Sequence, residues 1–191
     1  MRVFAAIRPT YEVIKKISAY IEEMKINFPD IRVRWVPPEN LHVTLRFEGD
    51  LLPADLDGFI DEISAVAAGF ECFRLCVSET GAFVRYRGSV ALWLGVRAYT
   101  DNEYHDIMPE LVRYMSPVSS ARLRRPTPHL TIARLKKHVN SEPLINRHLT
   151  GNIATFDFIV TEILVIKSEL HSTGSVYSVI ARIPLQEGSC T

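Results

Sequence analysis

The sequence predicts an α+β fold built from two duplicated lobes. Strand-length apolar runs and amphipathic helical segments interleave along the whole chain, which argues α+β or α/β and against an all-β fold. No linker or low-complexity stretch interrupts them, so residues 1–191 read as one domain. A strand carrying His-x-Thr occurs at His42 and again 87 residues later (129 − 42) at His129, one in each half, as a weak internal repeat would place it.

The elements follow in order. "RVFAAI" (2–7) is an apolar run of strand length. After Pro9-Thr10, Val13, Ile14, Ile17, Ile21 and Met24 recur at helical spacing, with Glu12, Lys15, Lys16, Glu22 and Glu23 opposite. "IRVRWV" (31–36) alternates as a strand and stops at Pro37-Pro38, ahead of the strand "ENLHVTLRFEG" (39–49). Residues 53–68 predict a second helix with Leu56, Phe59, Ile60, Ile63 and Val66 as its apolar stripe and Pro53 near its first turn. "FECFRLCVSE" and "SVALWLGV" read as strands separated by a turn-rich stretch around Gly81 and Gly88. Residues 99–115 are helix-like, with Tyr104, Ile107, Met108, Leu111 and Met115 inward and Pro109 as the weak point. "SPVSSARLRRPTP" is loop, "HLTIARL" strand, and "SEPLINRHL" a short helix that Ser141 can cap. "FDFIVTEILVIKSEL" holds one long strand or two, and "GSVYSVIARI" closes the fold.

Lys plus Arg equals Asp plus Glu, 22 each, so no global basic field recruits nucleic acid and any attraction for a polyanion must be local. Cys72, Cys76 and Cys190 are odd in number and scattered, a pattern that suits reduced thiols in a cytoplasm. Cys72 and Cys76 read as buried free thiols rather than a metal pair, because no further Cys/His cluster accompanies them. The apolar part of "MRVFAAIRPTYEVIKK" is too short for a signal peptide, and longer apolar stretches are broken by charge. A soluble, cytoplasmic chain without membrane contact is expected.

In a strand, residues i and i+2 share a face ~6.6 Å apart at ~3.3 Å per residue. Strict alternation turns His42, Thr44 and Arg46 one way and Val43, Leu45 and Phe47 into a core; His129, Thr131 and Ala133 likewise oppose Leu130 and Ile132. One such motif alone is ordinarily a half-solvated strand face. Two with the same spacing, on matching sides of a duplicated architecture, have a chemical use. Facing imidazoles can serve as acid and base near neutral pH. Each threonine hydroxyl, on a stiff β-branched side chain, can donate to an oxygen between them. An anion with several equivalent oxygens fits such a site, and phosphate is one. In-line displacement at phosphorus needs a base on the entering oxygen and an acid on the leaving one, which two pseudo-symmetric lobes supply without metal.

The motifs "NLHVTLRF" and "PHLTIAR" resemble those of the two-histidine (2H) phosphoesterase superfamily, within it the bacterial and archaeal RNA 2′,3′-cyclic phosphodiesterases, also called 2′-5′ RNA ligases. The resemblance extends through "RWVPPENLHVTLRFEG", "VALWLGV", "RPTPHLTIARL" and "VIKSELHSTGSVYSVI". It implies a bilobed duplicated fold, two antiparallel sheets facing a central cleft with helices on the outside. It also implies water attack on a terminal RNA 2′,3′-cyclic phosphate, leaving a 2′-phosphomonoester. His42 is then the proton donor and His129 the proton acceptor, while Thr44, Thr131 and Arg134 bind phosphate. The pseudo-symmetry allows the two histidines to exchange roles if the substrate docks reversed. The resemblance also implies that the same site can join the hydroxyl of a second RNA end to the cyclic phosphate without ATP. No metal or cofactor is expected, and the protein is expected to act as a monomer. A small nucleoside or ADP-ribose cyclic phosphate as substrate, or a non-catalytic RNA-end binder, are the alternatives.

Arg134 stands five places after His129, so alternation turns it away from the histidine face; a bulge at the end of the motif reconciles that with phosphate binding. Residues 116–141 hold Arg122, Arg124, Arg125, Arg134, Lys136 and Lys137 and no acid, which favours an RNA backbone contact over a merely solvated loop. The acids between Glu48 and Glu62 read as a solvated helix and its approach. His105, His138, His148 and His171 read as surface or structural residues. Tyr177 and Phe83 are either core or stacking surfaces for an RNA base, and Trp93 reads as core.

Overall fold

A computed structural model describes residues 1–85, 88–99, 106–115, 127–172 and 174–188. The strands are β1 (Arg2–Ile7), β2 (Arg34–Trp35), β3 (Val43–Asp50), β4 (Phe73–Val84), β5 (Ser89–Tyr99), β6 (His129–Lys136), β7 (Phe156–Val160), β8 (Glu162–His171) and β9 (Gly174–Pro184). The helices are α1 (Tyr11–Asn27), α2 (Leu56–Ala67), α3 (Met108–Met115) and α4 (Glu142–Thr150). All the strand pairings are antiparallel, in the order β7-β4-β5-β6-β3-β1-β8-β9 with β2 added to β6.

The two sheets expected are limbs of this array. One is β9-β8-β1-β3, the other β6-β5-β4-β7, and they meet edge to edge at a single registered pair, Val43↔Leu130. The chain approaches each side of that seam in the same order, β1-α1-β3-α2 and then β5-α3-β6-α4.

One face of the array is apolar because the alternation of its strands puts Val3, Ala5, Leu75, Val77, Leu92, Leu94 and Ile132 there. The helices cover this face with Val13, Ile17 and Ile21 from α1, Phe59 and Ile63 from α2, Leu111 from α3 and Leu144 from α4, in one continuous core. Burying a side chain such as Ile17, fully enclosed here, stabilises by about 1.5–3 kcal/mol. The opposite face carries a second, smaller cluster of Phe4, Ala6, Leu164 and Ile166, with Tyr177 and Val179 against it. That face forms the cleft.

Several elements depart from the expectations. The helix expected over 99–115 begins only at Met108; Tyr99 belongs to β5, and Tyr104 lies outside the described residues. Pro109 therefore falls in the first turn, where its missing N–H is harmless. Asp106 Oδ1 accepts the Met108 N–H at 3.1 Å and the Ala98 N–H at 2.9 Å, so it ties the helix start to β5. The strand expected over 31–36 survives only as β2, and β4 runs straight through Gly81. Ser141 does not cap α4 with its side chain; its Oγ closes the preceding turn on His138, accepting its N–H and donating to its carbonyl.

The cysteine expectation is corrected. Cys76 is a free, half-buried thiol inside β4, but Cys72 is disulfide-bonded. Cys72 lies just ahead of β4 where the C-terminal stretch returns, its N–H donating to the Gln186 carbonyl at 2.9 Å, so its neighbourhood is not that of Cys76. Cysteine usage therefore gives no argument for a reducing compartment. Among the described residues, no helix is long and apolar enough to cross a membrane.

Candidate active site

The seam determines which side chains meet. With Val43 opposite Leu130 in an antiparallel pair, both fully buried, the residues on either side face the cleft. The register carries His42 toward Thr131 and Thr44 toward His129, so the two His-x-Thr motifs interlock diagonally around the seam. The structure brings all four residues together on one face, each half-buried.

Each histidine is oriented by the same local bond. Nδ1 of His42 lies 2.7 Å from the Asn40 carbonyl, and Nδ1 of His129 lies 2.7 Å from the Thr127 carbonyl. A carbonyl can only accept, so Nδ1–H donates in both rings and each Nε2 is left for chemistry. While the ring is neutral, Thr44 Oγ1 donates to His42 Nε2 at 3.1 Å, a bond given up when Nε2 carries a proton. The rings also sit in aromatic notches. His42 packs 4.9 Å from Phe4 and edge-on to Tyr177 at 5.4 Å; His129 packs edge-on to Phe83 at 4.8 Å, with Trp93 at 6.2 Å. Phe83 and Tyr177 thus support the histidines, and Trp93, expected in the core, is half-buried at the cleft beside Phe83.

Burial pushes the pKa of both imidazoles below the ordinary histidine value. For His42 the Asn40 carbonyl opposes this, while the charges of Arg8, His129 and Arg134 add to it. For His129 the Thr127 carbonyl opposes it, and Arg134 and Arg85 add to it. Arg134 acts on both rings, and the cations around them favour an anionic guest.

Bulges decide the rest of the site. In β6 the register skips Ile132, with Leu92 opposite Ala133 but Trp93 opposite Thr131. Ile132 and Ala133 are both buried, and Arg134 emerges on the face of His129 and Thr131. The alternation that turned Ala133 toward the cleft and Arg134 away is corrected by this one extra residue. In β3 the register skips Leu45 in the same way, with Ala5 opposite Arg46 and Ala6 opposite Thr44. Arg46 therefore turns into the helix side, 9% exposed, where it bonds Glu48 at 2.8 Å and Glu62 at 2.6 Å over the Phe59 ring. Phe47, expected in the core, stands on the cleft face opposite Phe4 and is 64% exposed. Two of the acids expected as a solvated approach thus neutralise Arg46. A second skip at Glu48 leads to Gly49, whose φ of +84° is open to glycine at little cost.

Sequence reasoning missed Arg8, Arg34 and Arg85, whose charges act on His42, Arg134 and His129, since single arginines carry no spacing signal. His148 proves structural and fully buried, and His138 and His171 are exposed; His105, Arg122, Arg124 and Arg125 lie outside the described residues.

The profile of the LigT like Phosphoesterase family matches residues 7–91. An RNA 2′,3′-cyclic phosphodiesterase of Methanothermobacter thermautotrophicus is 30% identical over 152 residues, covering 78% of this chain and 80% of that protein. One of Thermotoga maritima is 29% identical over 190 residues, covering 98% and 97%. Among solved structures, a Thermus thermophilus protein superposes with a TM-score of 0.70 at 22% identity over 98% of this chain and 99% of that one. Escherichia coli LigT complexed with 3′-AMP superposes with a TM-score of 0.68 at 22% identity over 97% and 98%. These two establish the likeness of fold, while the interlocked histidine motifs and the sequence relatives agree on ancestry: the chain belongs to the LigT-like phosphoesterase family of the two-histidine superfamily.

Proposed function

We propose that this protein is an RNA 2′,3′-cyclic phosphodiesterase that hydrolyses a terminal cyclic phosphate to a 2′-phosphomonoester by metal-independent acid–base catalysis. The observation that carries the reading is the Val43↔Leu130 register, which sets the two His-x-Thr motifs beside each other on one face of the array. The names of the sequence relatives point to the same substrate class.

In the forward reaction His129 Nε2 takes a proton from water as the water oxygen bonds to phosphorus. The P–O3′ bond breaks, and His42 gives its proton to O3′. One water is consumed, and a 3′-hydroxyl and a 2′-phosphomonoester remain. Thr44 and Thr131 donate to the non-bridging oxygens, and Arg134, brought to this face by the Ile132 bulge, offsets their charge. A hydroxyl from a second RNA end in place of water gives 2′-5′ joining without ATP. Two lobes of one domain, acting as a monomer, suffice for this scheme.

Incubation with an oligonucleotide ending in a 2′,3′-cyclic phosphate tests it. A 2′-phosphate product, turnover that persists in EDTA, and a loss of at least roughly a hundredfold in His42→Ala and in His129→Ala with unchanged circular dichroism are expected. A 3′-phosphate product, or activity abolished by chelation and restored by zinc, overturns the mechanism.

A further inference from the structure

Many arginines among the described residues are matched with acids, Arg74, Arg97, Arg147 and Arg182 for example, while Arg8 and Arg32 stand singly without an ion pair. Beside His129 the pattern changes. Arg34 in β2, Arg85 just past β4 and Arg134 in β6 have no carboxylate partner among the described residues. Arg34 and Arg134 are direct register partners, so both side chains leave the same face of the β2–β6 pair. Like charges directly opposite each other destabilise a strand pair. Arg85 comes close enough for its charge to act on both Arg134 and His129.

The placement has a direction. Along β6 the cleft face reads His129, Thr131, Arg134, Lys136, and β5 partners Arg134 with Ala91 and Lys136 with Ser89. The Arg85 N–H donates to the Ser89 carbonyl at 2.7 Å, so Arg85 is anchored beside the outer end of this row. Cations thus lead away from the histidine–threonine pair toward one edge of the array. In a protein with as many acids as bases, 22 of each, this is a local field that no carboxylate among the described residues pairs.

We propose that Arg34 and Arg85, flanking Arg134, form a second phosphate subsite that holds a backbone phosphodiester of the RNA strand upstream of its terminal cyclic phosphate. The inference rests on the cyclic phosphodiesterase reading and adds to it where the polymer lies. A bound phosphodiester supplies the counter-charge the cluster lacks, and guanidinium groups suit its oxygens by their forked donors.

The test compares a mononucleoside 2′,3′-cyclic phosphate with a short oligonucleotide ending in the same group, for the wild type and for Arg34→Gln, Arg85→Gln and the double variant. Both positions are exposed, so folding is not at stake. The double variant is expected to raise KM for the oligonucleotide about tenfold, and to lessen the slope of log KM against log salt by ~0.7 per lost contact. With each enzyme at its own pH optimum, because losing Arg85 relieves part of the lowering of the His129 pKa, the variant's kcat and its KM for the mononucleotide stay within about twofold of wild type. Equal losses on the two substrates, or an unchanged salt slope, overturn the subsite. If the wild type turns over neither substrate, the enzymatic reading fails on its own. Fluorescence anisotropy with an oligonucleotide bearing a 3′-terminal phosphate then still decides the subsite, which is refuted if the double variant binds as the wild type does.

Discussion

At His42 and His129 the ring Nδ1–H is tied to the carbonyl two residues earlier, so the chain that delivers each imidazole also sets its tautomer. Both pKa values are held below the ordinary 6.5 by burial, with neighbouring cations adding to the effect. The profile of kcat/KM reports the free enzyme and that of kcat the complex. A catalytic form with one ring protonated and one neutral therefore peaks below pH 6.5 in kcat/KM. A bound phosphate anion raises both values, so the kcat optimum is expected at higher pH. Superimposable profiles would contradict this electrostatic account. His148 shows the same desolvation in a different place. Its Nε2–H is shared between the carbonyls of Gly81 at 3.1 Å and Trp93 at 3.2 Å, and Nδ1 accepts from the Tyr20 hydroxyl at 2.8 Å. Burial lowers its pKa, so its contribution to stability is complete above pH 6.5 and is lost as pH falls from there toward the folded value. Tyr20→Phe is expected to cost about 1 kcal/mol and His148→Ala about 3 kcal/mol. Urea midpoints at about pH 7.5 and about pH 5.5, either side of the ordinary histidine value, measure both the cost and the acid loss, which should shrink in His148→Ala.

Among the elements, the β4–β5 hairpin does most to shape the floor beneath His129. Gly81 and Trp93 are register partners, and a Cβ at Gly81 would lie 2.1 Å from Trp93 Cζ2, so only the missing side chain lets the indole lie flat there. Gly81→Ala is expected to expel Trp93, costing about 1–3 kcal/mol and lowering kcat/KM as the support of His129 shifts. Gly81→Ala with Trp93→Phe should recover part of both losses, a coupling that a double-mutant cycle reads directly. Additive effects would mean that the indole plays no part in seating His129. The bulges in β3 and β6 act at this scale too. Each adds one residue just after a His-x-Thr motif, and so the fifth residue after each histidine, Phe47 or Arg134, returns to the cleft.

At the scale of the whole molecule, two limbs with separate sheet faces are joined through one residue pair. Leu130, fully buried on the core side of that seam, therefore supports the fold and the spacing of the two motifs together. Leu130→Ala is expected to cost about 2–5 kcal/mol. If the seam sets the distance between the imidazoles, kcat should fall at temperatures where the variant is still folded by circular dichroism. Unchanged kcat in the folded variant would show that the limbs are held in place by the helical core alone.

Local regularities made much of this legible in the chain. Helical spacing of Val13, Ile17, Ile21 and Met24 fixed α1, because a stripe at that period has one way to be buried. The repeated His-x-Thr pattern marked all four central side chains, because alternation in a strand sets i and i+2 on one face whatever the surroundings. Alternation failed at Arg46, Phe47, Ala133 and Arg134, because a bulge belongs to the pairing between strands and leaves no mark in one strand's own residues. The aromatic seats of the histidines, the register at Val43 and Leu130, and the gathering of Arg34, Arg85 and Arg134 depend on contacts between segments far apart in sequence. Such contacts are decided by how sheets and helices pack, and only the tertiary structure holds them.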